Sequence, residues 1–99
     1  MTVLEYAPSE TEILDFIHDG IRQLQEAGSE PRYILMGTAA YATLRRAIAT
    51  RFQRTAGTFE SYQYLPIVVD PLRDHFVCVL PSSHETANDV ALVRSTRPG

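Results

Sequence analysis

The sequence predicts an α+β domain, two helices packed on a small mixed β-sheet with a long hairpin tip. Three observations lead there. Two stretches in the first half repeat apolar residues at steps of three and four, the helical period. Four short runs, around residues 33–36, 65–69, 76–80 and 90–93, are apolar, and the one at 65–69 is β-branched, as buried strands are. The order helix, strand, helix, strand, strand, strand is neither regular βα alternation nor all-β.

Residues 1–8 read as a short extended arm ending at Pro8. Ser9 stands three before Glu12, a capping-box spacing. Ile13, Ile17, Ile21 and Leu24 then share one face, with Glu12, Asp15, Asp19, Arg22, Gln23 and Glu26 on the other, so the first helix covers residues 10–27. Gly28 is placed where a helix ends in a left-handed residue. Tyr33 to Met36 form a strand, broken by Gly37 and by Thr38, the expected N-cap of a second helix. Its stripe is Tyr41, Leu44, Ile48 and Phe52, widened by Ala40 and Ala47, over residues 39–53. Residues 55–58 read as a loop, and residues 59–64 as a short strand or an ordered loop. Pro66 lacks a donor, so it belongs at the start or edge of the strand Leu65 to Val69. That strand and Phe76 to Leu80 read as a hairpin whose long tip is Asp70, Pro71, Leu72, Arg73, Asp74 and His75. A last strand follows at residues 90–93, and residues 95–99 are expected to fray.

With 99 residues the chain is one domain, residues 1–99, of ordinary globular composition: 44% hydrophobic and 21% charged, which excludes collagen-like and disordered classes. No apolar run approaches the 18 residues of a membrane span, and residues 1–6 hold no basic leader, so the expectation is a soluble cytoplasmic domain. A single cysteine, Cys78, rules out an internal disulfide. The net charge is −3, unevenly spread. Residues 1–30 hold seven acids and one arginine, whereas residues 31–60 hold five arginines and one acid. Two solvated helix faces of opposite sign explain this; so does an acidic surface meeting a basic one on a neighbouring copy.

Tests for chemistry return little. His18, His75, His84 and Cys78 show no metal-ligand spacing, so no metal or cofactor is expected. Cys78 lies among aliphatics, where desolvation makes a thiol inert. Ser82, Ser83, His84 and Glu85 read as turn formers, without a nucleophile elbow. Gly37 before a helix is a cap, not a phosphate loop. Arg45, Arg46, Arg51 and Arg54 lie on the second helix but make no single basic face. The chain is net acidic, so nucleic acid is not the expected partner. A small module binding nucleic acid or a protein partner through that helix, with Tyr62 and Tyr64 as stacking platforms, is the alternative reading.

From Leu24 to Leu80 the chain shows a helix, the run Gly28-Ser29-Glu30-Pro31-Arg32-Tyr33-Ile34-Leu35-Met36, a second helix with Tyr41 and Leu44, then Leu65-Pro66-Ile67-Val68-Val69-Asp70-Pro71 and a return strand. This resembles the axial domain (A-domain) of the tailed-phage capsid fold that encapsulin shell proteins share. These 99 residues leave no room for that family's peripheral domain, spine helix or E-loop, so the resemblance is to short, A-domain-only encapsulin-like proteins. It implies a non-enzymatic, self-assembling subunit of a ring, a pentamer or small compartment, without cofactor. Its partner would be itself, with a cargo or neighbouring enzyme as the second partner class. It sets Asp70, Pro71, Leu72, Arg73, Asp74 and His75 at the ring axis, by a pore. The uneven charge adds Arg45, Arg46, Arg51, Arg54, Asp15 and Asp19 as candidate subunit contacts.

Overall fold

The computed structural model describes residues 2–53, 60–81 and 91–95. Its elements are β1 (Thr2–Tyr6), α1 (Ile13–Glu26), β2 (Pro31–Met36), α2 (Thr38–Arg51), β3 (Ser61–Tyr62), β4 (Leu65–Val69), a 3-10 turn (Pro71–Arg73), β5 (Val77–Pro81) and β6 (Ala91–Ser95). Six strands form one mixed sheet in the order β3-β4-β2-β5-β1-β6, and with the two helices they make the α+β domain the sequence predicts.

Two expectations are overturned. The predicted arm is a strand over Thr2–Tyr6: β1 lies inside the sheet, antiparallel to β5 and parallel to β6. Nor do β4 and β5 form a hairpin. β2 lies between them, parallel to β4 (Ile34 beside Ile67) and antiparallel to β5 (Ile34 beside Val79). Residues 70–76 are therefore a connection that passes the end of β2, not a tip. The physical reason is that the β2–α2–β4 crossover places β4 directly beside β2. β5 then fills the slot that the β1–α1–β2 crossover leaves open.

Both crossovers step the same way across the sheet, so right-handed connections put both helices on one face. Between the layers lie Ile13 and Ile17 of α1, Leu44 and Ile48 of α2, and Ile34 and Met36 of β2, all buried. α1 lies close on β5, where a Cβ on Gly20 would stand 3.0 Å from Val79 Cγ2. The α2 stripe holds except at its end, since Phe52 follows the last helical turn and is exposed.

The helix ends differ from the expected caps in instructive ways. Only half of the capping box forms: the Ser9 N–H donates to Glu12 Oε1 at 3.1 Å, while the Ser9 hydroxyl turns to Thr11 and the helix begins at Ile13. Those bonds from Ser9 hold the Glu12 carboxyl below its ordinary range. At the other end Gly28 takes φ +80°. The Ser29 N–H donates to the Leu24 carbonyl and the Gly28 N–H to the Gln25 carbonyl, the paired bonds of a Schellman stop. Thr38 is not the N-cap of α2. Gly37 holds that place, with no side-chain cap, and Thr38 is the first helical residue. The capping is done instead by backbone from the 70–76 connection. Of the predicted loop at residues 55–58, and of the tail beyond Ser95, all lies outside the described residues.

Candidate functional site

The connection from β4 to β5 is the most elaborated local structure. Asp70 starts it by accepting the Leu72 N–H at 3.0 Å on its own side chain, which turns the chain into Pro71–Arg73. The Phe76 N–H then donates to the Arg73 carbonyl at 2.8 Å, closing a turn with Asp74 at φ 50°, ψ −106°. That is the first central position of a type II′ turn, where glycine is the unstrained choice. The Asp74 carbonyl accepts the Ala40 N–H at 2.9 Å, and the Phe76 carbonyl accepts the Gly37 N–H at 3.1 Å. Thus the connection satisfies a free donor at the α2 N-terminus that no side chain caps. The approach requires glycine at 37: a Cβ there would lie 2.2 Å from Asp74 backbone atoms.

Of the six residues predicted to share an exposed tip, Arg73 is turned inward. Its guanidinium bonds Glu5 Oε2 on β1, and its Nε lies 3.3 Å from Asp70 Oδ2. Glu5 is 1% exposed in a central strand. Tyr6, its neighbour, packs on Phe16 of α1 with ring centroids 5.4 Å apart, so alternation sends Glu5 to the sheet face away from the helices. Arg73 crosses to that face to meet it. This pair was not foreseen, because reading residues 1–8 as an arm left Glu5 outside the core. The sequence did hold a signal: Thr2 to Tyr6 is β-prone and places Val3 and Glu5 on one face. Outward remain Pro71, Leu72, Asp74 and His75, with Leu72 88% exposed.

The charges singled out in the sequence meet within one chain. Arg46 Nε stands 3.0 Å from Glu10 Oε1, Arg51 is 3.9 Å from Asp15, and Arg22 is 3.0 Å from Asp19. All are exposed pairs, a class that contributes about 0–1 kcal/mol each. Arg45 lies over the Tyr41 ring at 6.0 Å. Arg54 is outside the described residues, as are Ser82, Ser83, His84 and Glu85. Two of these pairs, Arg46 with Glu10 and Arg51 with Asp15, join the basic middle third to the acidic first third within the chain.

No group of three or more His, Cys, Asp or Glu side chains that could hold a metal occurs among the described residues. His18 Nε2 is 2.9 Å from the Tyr62 hydroxyl, with the rings stacked at 5.6 Å, so it ties β3 to α1. Cys78 is fully buried, and its thiol is pushed up to about 12, by burial first and by the Glu5 charge second, against the opposing pull of Arg73. No described helix is long and apolar enough to cross a membrane.

One margin of the sheet carries an unusual surface. The large apolar side chains exposed among the described residues are Leu4, Phe52, Tyr64, Val68, Val69 and Leu72. Four of the six fall within residues 64–72, on β4 and the turns at its two ends. The turn before β4 sets Gln63 and Tyr64 at φ 53° and 66° and leaves Tyr64 99% exposed. No family model matches the chain, and neither does a curated protein or a solved structure.

Proposed function

We propose that this protein is a non-enzymatic, self-associating structural subunit, an encapsulin-like capsid A-domain that assembles into a ring, with the β4 margin as a contact surface. The observation that carries the reading is the exposure of Tyr64, Val68, Val69 and Leu72 along β4 and the turns at its two ends. Exposed large apolar groups are what interaction sites present, and tyrosine is a favoured contact residue there. The arginines of α2 support the same reading by default. Arg46 and Arg51 face acids of their own chain, which weakens them as a track for nucleic acid.

In such a ring the connection 70–75 would stand toward the axis, at the ends of β2 and β4. It would present Leu72, Asp74 and His75, while Arg73 stays bonded to Glu5. Light scattering on the purified chain, across concentration and salt, with negative-stain imaging of the same samples, tests the reading. The expected result is a closed oligomer of fixed mass. A strict monomer at every concentration refutes it.

A further inference from the structure

We propose that β1 is exchanged between copies: the first strand of one chain lies between β5 and β6 of the next and brings its Glu5 to that neighbour's Arg73. The proposal rests on the self-association reading and adds a contact in which a second copy completes a buried ion pair. β1 is Thr2–Tyr6, while the strands on either side of it, Val77–Pro81 and Ala91–Ser95, come from the far end of the chain. The link from β1 to α1 is Ala7–Glu12. Every bond that β1 makes to its flanking strands is available unchanged from another copy, the condition under which an element is exchanged. Drawn out, the six residues of the link span about 20 Å, close to the shortest dimension of the chain, 23 Å, so β1 reaches a neighbour in contact.

The two seams of β1 differ. Its ladder to β6 runs over all five of its residues, whereas its register with β5 is set at Tyr6 beside Val77. On the β5 side, side chains add to that short ladder: Glu5, 1% exposed, bonds Arg73, and Tyr6 packs on Phe16 of α1. A strand with a buried carboxylate settles only where a cation meets it. A second copy offers that cation at the matching place, whereas β1 laid on an unrelated edge leaves Glu5 unpaired. The same pair fixes register, because a slip of one residue turns Glu5 to the helix face.

The link favours an outstretched chain. Pro8 fixes its own φ and disfavours the helical region at Ala7, so the backbone leaves β1 extended. The turn back to α1 comes after it, at Ser9–Glu12, where only the Ser9 N–H to Glu12 half of the capping box is made and the Ser9 hydroxyl is turned to Thr11. Exchange gives up that partial cap and keeps the strand-to-strand bonds. Each copy gives one strand and receives one, so the contact is heterologous and closes on itself, in the smallest case as a reciprocal pair.

The test mixes two full-length variants. Glu5→Arg and Arg73→Glu each set like charges together, both within one chain and between identical chains. In an equal mixture the first strand of either variant meets an opposite charge only in the other. The expected result is an assembled fraction, by light scattering, at least tenfold above that of either variant alone, with the two chains in equal amounts in the assembly. A mixture of folded variants that assembles no more than its parts overturns the exchange. Where a single variant fails to fold, isotope-filtered NOEs in a refolded mixture of labelled and unlabelled unmodified chains decide. Contacts between Tyr6 of one chain and Val77 or Phe16 of the other are expected. An oligomer in which those contacts stay within one chain overturns the exchange and leaves self-association standing. A chain that never assembles overturns both.

Discussion

Replacing Arg73 by methionine removes the guanidinium that reaches Glu5 and leaves the apolar stem in place. The consequence follows from burial. Glu5 is 1% exposed, so its carboxylate loses its charge-assisted bond to Arg73 at a buried place. Breaking a buried pair from one side costs about 3–5 kcal/mol. Because Arg73 itself is 21% exposed on its side chain, the lower end applies, about 3 kcal/mol. For a domain of this size that lowers Tm by at least ~12 °C. Glu5→Gln is the informative contrast. It leaves Arg73 near solvent and still 3.3 Å from Asp70, so its cost is about 1–2 kcal/mol, that of a weakened hydrogen bond. Urea unfolding of the two single variants and the double variant closes a cycle, with m-values checked for constancy. A coupling below about 0.5 kcal/mol, or equal costs for the two single variants, refutes the argument that buried Glu5 depends on Arg73.

Three further outcomes follow. Asp74→Gly relieves the φ 50°, ψ −106° backbone and retains the carbonyl that caps α2, so it stabilises by about 1 kcal/mol in urea melts; a loss of stability refutes the strain. Cys78, its thiol pushed up to about 12 and fully buried, stays unlabelled by iodoacetamide at pH 8 until denaturant is added, and fast native labelling contradicts the packing. The Glu12 carboxyl, held low by Ser9, contributes stability that is full above the unfolded carboxylate pKa and is lost as pH falls through the lower folded value. Accordingly Glu12→Gln destabilises at pH 7, and its difference from the unmodified chain shrinks on acidification below about pH 4; a pH-independent difference in urea melts excludes the mechanism.

Much of the secondary structure was legible, because local pattern governs it. The apolar spacing of Ile13, Ile17 and Leu24, and glycine at 28, suffice to place α1 and its stop. The apolar runs place β4 and β5 within a residue. What failed was pairing. Nothing in Leu65 to Val69 or Val77 to Leu80 says that β2 will stand between them, since strand partners are chosen by crossover geometry and not by local composition. The failure at Thr2 to Tyr6 has another cause. A glutamate in a central strand looks like a surface residue until its partner, 68 positions away, is known. For the same reason the connection 70–75 was recognised as exposed, while its inward arginine and its capping of α2 were not. The charge asymmetry was real, and only the three-dimensional packing shows Arg46 and Arg51 beside Glu10 and Asp15.

The position of β5 has a consequence for how the chain reaches its folded state. A polypeptide emerging from its N-terminus makes β1, α1, β2, α2 and β4 before the strand that separates β1 from β2 exists. Until Val77–Pro81 arrives, β1 has no described neighbour but the still later β6. Nascent chains must therefore wait with a vacant lane in the sheet, and closing it is a late, long-range event of the slow kind. Ribosome-bound intermediates ending before residue 77 would hold Glu5 without Arg73's strand-side support from β5, and expose the flank of β2 to whatever β-strand comes first.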